Sequence, residues 1–230
     1  MSDVCTDGLI LSHHFEDVDC EVGSPSGCST NATKTLTLGT DASISTQTGA
    51  NWPSDGTHSL AIGSTPTTIP ITWDKTQGTI SFDVYASTFA GPIDILWIGD
   101  LGGDFVKVLL AGSDDNNRVN FVIRYNWDPV YEVAADMGAF SGAKISVTAK
   151  WDVNMAHSGH YMALTIDAAT TYYDSQPTAV DGTYTDLNMG VNNSSVCYID
   201  NLKVYDYWLE IATGISLAVT ETLSFSESLD

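Results

Sequence analysis

With 230 residues and a hydrophobic content of 43%, the chain can fill one core and sits at the upper end for a single domain. Its 29 acidic against 8 basic residues give a formal net charge of −21, which repels nucleic acid and anionic lipid and excludes both as partners. No stretch approaches the roughly 18 apolar residues of a membrane span, so no membrane insertion is expected.

The N-terminal Met1-Ser2-Asp3-Val4-Cys5 has neither the basic region nor the apolar core of a secretory signal. Two readings follow: a virion-type protein held in the cell until lysis, or an extracellular protein whose leader is not in the chain. Further along, apolar residues recur with a period of two rather than 3.6. The pattern runs through Thr35–Leu38, Thr79–Tyr85, Phe105–Leu109, Arg118–Ile123, Lys144–Trp151, Tyr161–Ile166 and Tyr198–Tyr205. Turn clusters such as Ser113–Asn117 and His157-Ser158-Gly159 separate these runs. Short alternating strands punctuated this way predict an all-β, two-sheet antiparallel sandwich. Val130–Met137 and Tyr207–Ala212 are expected to form short helical turns.

The domain is expected to span residues 1–210, followed by a low-complexity tail over 211–230. Within the tail, Ser, Thr and Glu alternate with Leu, Val and Phe from Val219 to Leu229. It reads as a flexible linker or as a strand that docks on a partner subunit and supports a homo-oligomer. Cys5, Cys20, Cys28 and Cys197 lack CxxC spacing, which argues against zinc or a redox motif. Cys20 with Cys28, Cys5 or Cys20 with Cys197, and four free thiols all remain open.

Three segments resemble the concanavalin-A-like (LamG-type) jelly-roll superfamily and related carbohydrate-binding modules. They are Gly8–Asp17 near the start, Gly56–Ile62 with its Gly-x-x-Ser-Leu strand, and Tyr198–Asp206 with an Ile-Asp-Asn-Leu-x-Val-Tyr ending. The resemblance covers roughly residues 8 to 208 and implies a jelly roll. It also implies a structural Ca²⁺ where the first and last strands meet. Glu16 and Asp200 would be its carboxylates, with backbone oxygens from the turn between Thr57 and Ser59. Calcium takes about six to eight oxygens, several from carboxylates.

The glycoside hydrolases of that superfamily place glutamates on either side of a strand aspartate, a pair that hydrolysis requires. Here Gly91-Pro92-Ile93-Asp94-Ile95-Leu96-Trp97 has Pro92 and Leu96 at those positions. The arginines, Arg118 and Arg124, do not begin the strand pattern of alginate-lyase-like members, and the five histidines form no triad. The expectation is therefore a protein that is not an enzyme.

Sugar-binding sandwiches combine aromatic rings, which stack on sugar rings, with Asp, Asn and Arg, which fix hydroxyls. Trp97, Arg124, Tyr125, Asn126, Trp127, Asp128 and Tyr131 are the candidate ligand-binding residues. The expected function is a lectin-like surface module binding glycans or mediating adhesion, exposed on a virion or cell surface. The alternatives are a structural coat, decoration or fibre subunit contacting neighbouring subunits, and a polysaccharide lyase or glycoside hydrolase.

Overall fold

The computed structural model describes residues 9–15, 19–20, 34–48, 52–54, 56–88, 92–101, 103–110, 118–125, 130–136, 142–177, 183–191 and 196–210. In chain order the first strands are β1 (Leu9–His13), β2 (Asp19–Cys20), β3 (Lys34–Thr35), β4 (Ser43–Ser45) and β5 (Ser59–Ala61). Then come β6 (Thr67–Asp74), β7 (Gln77–Thr88), β8 (Ile93–Gly99), β9 (Phe105–Leu110), β10 (Arg118–Arg124) and β11 (Val130–Asp136). The last are β12 (Lys144–Asp152), β13 (Met162–Ile166), β14 (Ala169–Tyr173), β15 (Thr183–Val191) and β16 (Val196–Tyr205).

Two antiparallel sheets form the expected sandwich. One has eight strands in the order β14-β13-β12-β7-β16-β5-β4, with β1 also paired to β16, and the other has six in the order β11-β10-β9-β8-β15-β6. β2 and β3 pair separately. No helix occurs among the described residues.

The alternation dictates the core. Ile145, Val147, Ala149 and Trp151 of β12 share one buried cluster with Val119, Phe121 and Ile123 of β10 and with Tyr125 just past it. Trp151 stacks on Trp73 at 5.5 Å between centroids and meets Phe121 at 6.0 Å. Its indole Nε1 donates to the Lys75 carbonyl at 3.1 Å, which also accepts the Tyr125 hydroxyl. Gly78 lies under the Trp151 ring, where a Cβ would come within 2.6 Å of it.

Three expectations are corrected. Val130–Asp136 is a strand rather than a helical turn: Tyr131 and Val133 point into the core while Val130 and Glu132 are exposed. Pairing along its whole length with β10 overrides the helical preference of Glu132-Val133-Ala134-Ala135. Tyr207–Glu210 has no helical turn either. It crosses the outer face of the eight-stranded sheet, held by the buried Thr79 hydroxyl, which donates to Tyr207 O at 2.8 Å and accepts Leu209 N–H at 2.9 Å. Cys197 is a free thiol inside the core, so neither pairing that reached for it forms.

Candidate functional site

On the six-stranded sheet the residues alternating with the core make a continuous outward ladder. Strand register aligns Thr68, Asn188, Trp97, Lys107, Val122 and Glu132 across all six strands. Phe105 and Arg124 form a neighbouring pair on the same face. Thr68 Oγ1 donates to Asn188 Oδ1 at 3.2 Å. Lys107 Nζ sits 3.0 Å from Asp94 and 5.4 Å from the Phe105 centroid, and the Arg124 guanidinium lies 5.9 Å from that centroid.

Where β8 turns into β9, this face opens into a groove of about 840 Å³. The turn is tight: Asp100 N–H donates to Asp104 O at 2.9 Å and Gly103 N–H to Asp100 O at 2.8 Å. It requires Gly99, which has φ +89° and whose Cβ would stand 2.3 Å from Asp104 O. The turn sets the side chains of Asp100 and Asp104 along the groove, opposite Thr68, Asp186 and Asn188 from β6 and β15. Lys75 closes one end, 3.6 Å from Asp104 and 5.1 Å from the Tyr184 centroid. Burial, and then the Asp104 charge, raises the Tyr184 phenol well above its ordinary range, so it stays protonated.

Carboxylates, an amide and hydroxyls facing one cavity suit a ligand rich in hydroxyl groups. Each carboxylate accepts two hydrogen bonds side by side, which matches the spacing of adjacent sugar hydroxyls. The three aspartates also disfavour an anionic ligand there.

The candidate ligand-binding residues divide. Trp97 and Arg124 share the outer face, and Trp97 pairs directly with groove residue Asn188. The Trp97 ring is only 5% exposed, so it backs the face instead of presenting an open stacking surface. Tyr125 and Tyr131 are not on that face. Both belong to the core, Tyr125 through its bond to Lys75 O and Tyr131 edge-on to Tyr173 at 6.0 Å. Asn126, Trp127 and Asp128 lie outside the described residues, as do Glu16 and the tail over 211–230. Sequence reading missed Thr68, Lys75, Asp186 and Asn188. It missed Asp100 and Asp104 as well, although the glycines between them were a signal for a turn.

The calcium expectation joins Asp200 and backbone oxygens of the turn between Thr57 and Ser59 to Glu16, which lies outside the described residues. Asp200 Oδ2 accepts Ser54 N–H at 2.9 Å and Ser54 Oγ–H at 3.0 Å, and Oδ1 accepts Asn201 N–H at 2.8 Å. Thr57 Oγ1 is bonded to His58 Nδ1, and Ser59 Oγ accepts Trp52 Nε1–H at 3.2 Å. Among the described residues no group of three or more His, Cys, Asp or Glu side chains could hold a metal ion.

No protein-family model matches the chain, and no curated protein matches it. Solved structures do match in fold. The botulinum neurotoxin type G receptor-binding domain has a TM-score of 0.62 at 12% identity, over 89% of this chain and 49% of that one. The binding domain of botulinum neurotoxin DC, solved in complex with SialylT, has a TM-score of 0.61 at 10% identity, over 89% and 49%. The fourth domain of an extracellular arabinanase from Geobacillus stearothermophilus, in complex with arabinotriose, has a TM-score of 0.62 at 14% identity, over 88% and 94%. The chain thus spans about half the length of the toxin chains and nearly all of the arabinanase domain. These likenesses show the fold, a two-sheet β-sandwich.

Proposed function

We propose that the chain is a non-enzymatic, lectin-like glycan-binding module whose groove on the six-stranded sheet holds a neutral, hydroxyl-rich sugar. The observation that carries this reading is the convergence of Asp100, Asp104, Asp186, Asn188 and Thr68 on one cavity. It is supported by folds of the same shape solved in complex with arabinotriose and with SialylT. Recognition here works by hydrogen bonds to hydroxyls, since the aromatic rings backing the face are covered. Displayed on a cell or particle surface, such a module mediates adhesion.

Binding is preferred to polysaccharide cleavage. The strand that invites the hydrolase comparison carries Pro92 and Leu96 where paired carboxylates would be needed, and Leu96 is buried in the core. Asp94 itself is held by Lys107.

The test is a panel of neutral oligosaccharides titrated against the full chain. Asn188→Ala and Asp186→Ala are expected to weaken binding at least about tenfold, the loss of one or two hydrogen bonds, while the Tm stays within a few degrees. Absence of binding to every neutral glycan, or unchanged affinity in both variants, overturns the reading.

A further inference from the structure

The eight-stranded sheet has its own outward cavity, of about 460 Å³, on the side of the sandwich opposite the groove. Its floor is Lys150. The odd-numbered residues of β12 fill the core, so Lys150 points outward, yet it is only 7% exposed. Across the sheet its register partner on β13 is Ala163, and the next is Tyr172 on β14. A small side chain between two long ones leaves the space that forms the cavity.

Its roof is the segment that Thr79 pins down. Those two hydrogen bonds set Trp208 over the sheet, with Lys150 Nζ 5.8 Å from its ring centroid. His157 stacks on Trp208 at 4.6 Å with 3° between planes, its Nε2 2.9 Å from Asp152 and its Nδ1 3.5 Å from Glu210. On the far wall His160 stacks on Tyr172 at 4.0 Å and is paired with Asp174. The Thr165 and Thr170 hydroxyls, 3.0 Å apart, line the cavity between these walls.

Most charges around the cavity have a contact partner, whereas Lys150 has the Trp208 ring and, at longer range, Glu210. His157 has Asp152 and Glu210, His160 has Asp174, and Asp167 accepts the Ser146 N–H at 2.9 Å. Among the described residues no carboxylate lies within 4.0 Å of Lys150 Nζ and no hydrogen bond reaches it. A largely buried lysine whose ammonium makes no contact ion pair leaves room for a bound anion to compensate it, although Glu210 and Asp167 also line the cavity. Burial accordingly lowers its pKa, with Glu210 opposing the shift.

We propose that this cavity is a second binding site, for the carboxylate of an acidic sugar residue of the uronic acid class. Lys150 takes the carboxylate. Thr165 and Thr170 offer hydrogen bonds to ring hydroxyls, and the stacked His160–Tyr172 pair, with Tyr172 50% exposed, forms a flat wall. The net charge of −21 opposes anions at long range, but salt at about 0.15 M screens that field beyond about 8 Å. This site is independent of the groove on the other face.

The experiment compares a glucuronate-containing oligosaccharide with its carboxyl-reduced counterpart by calorimetry on the full chain, in about 0.15 M salt. The acid form is expected to bind at least about tenfold more tightly, the effect of one charge-assisted contact. Lys150→Met, which keeps the apolar stem, is expected to abolish that preference. Ala163→Leu, which fills the cavity, is expected to remove acid-form binding, and the exposed Tyr172→Ala serves the same purpose if Ala163→Leu does not fold. Equal affinity of wild type for the two forms, or a preference that survives Lys150→Met, overturns the proposal.

Discussion

Ser54 donates twice to a single oxygen of Asp200, from its backbone N–H at 2.9 Å and from its hydroxyl at 3.0 Å, across 146 positions of sequence. Asp200 is fully buried in β16, and its other oxygen accepts the N–H of Asn201, which takes a left-handed φ of 51°. The carboxylate therefore ties the loop around Trp52 and Ser54 to the last strand. Trp52 continues the contact, stacked on Tyr85 at 5.7 Å.

Replacing Asp200 by Ala strands the two backbone donors and the Ser54 hydroxyl. The expected cost is about 2–4 kcal/mol, from unpaired buried donors at about 1–3 kcal/mol each. For a domain of this size that lowers the Tm by roughly 4–16 °C, as each kcal/mol corresponds to about 2–4 °C. A variant that melts with the wild type removes this role. A chelator arm decides the calcium question independently: a fall in the wild-type Tm in excess chelator shows that a cation is bound.

Tyr125→Phe tests the inward placement of a residue whose composition suggests sugar stacking. The hydroxyl donates to the Lys75 carbonyl, which keeps a second donor in Trp151 Nε1. The expected cost is about 1 kcal/mol in denaturant unfolding, with glycan affinity unchanged. A large loss of affinity without loss of stability would return Tyr125 to the binding surface.

Burial pushes the Cys197 thiol up to about 12 from its ordinary value of 9.0, against a smaller opposing effect of the Tyr198 backbone. Between those values the folded chain keeps a proton that the unfolded chain has released. The stability linked to this thiol is thus complete below about pH 9 and is lost as the pH rises toward 12. Native protein at pH 8 is expected to leave Cys197 unlabelled by a thiol reagent, with labelling on unfolding. Rapid labelling of Cys197 in the native state, mapped by peptide mass, would contradict the burial.

Lys150 carries the opposite sign. Its pKa is lowered by burial, so below the ordinary lysine value of 10.5 the unfolded chain holds the proton more firmly than the folded one. Stability linked to Lys150 rises with pH from the lowered value up to about 10.5. Lys150→Met removes the cost of burying a charge and is expected to raise the Tm at pH 7, with the gain shrinking toward pH 10.5. A lower Tm, or a pH-independent difference, would show that Lys150 has a structural anion partner.

Much of the fold was legible because a half-buried sheet imposes strict alternation, and Lys144–Trp151 and Arg118–Ile123 obey it. β6 was not, because Pro70 interrupts the pattern; the strand tolerates it at the edge of the six-stranded sheet. The candidate site was half legible. Arg124 and Tyr125 are neighbours on and just past β10, so they cannot both face solvent, and that parity was available from sequence alone. The groove was not, because Thr68 meets Asn188 across 120 positions and only strand pairing puts them side by side.

The contact between Gly78 and Trp151 has a consequence for how this chain can diverge. Gly78 has no left-handed φ to protect, so its glycine is demanded by the volume of the indole ring alone. Any larger residue at 78 must displace a ring that is stacked on Trp73 and bonded to Lys75 O. Only a smaller residue at 151 would make room, and that change by itself leaves a hole costing about 3–5 kcal/mol. The two positions can therefore exchange bulk only together, and each single change on the path between such pairs is penalised by the partner not yet altered.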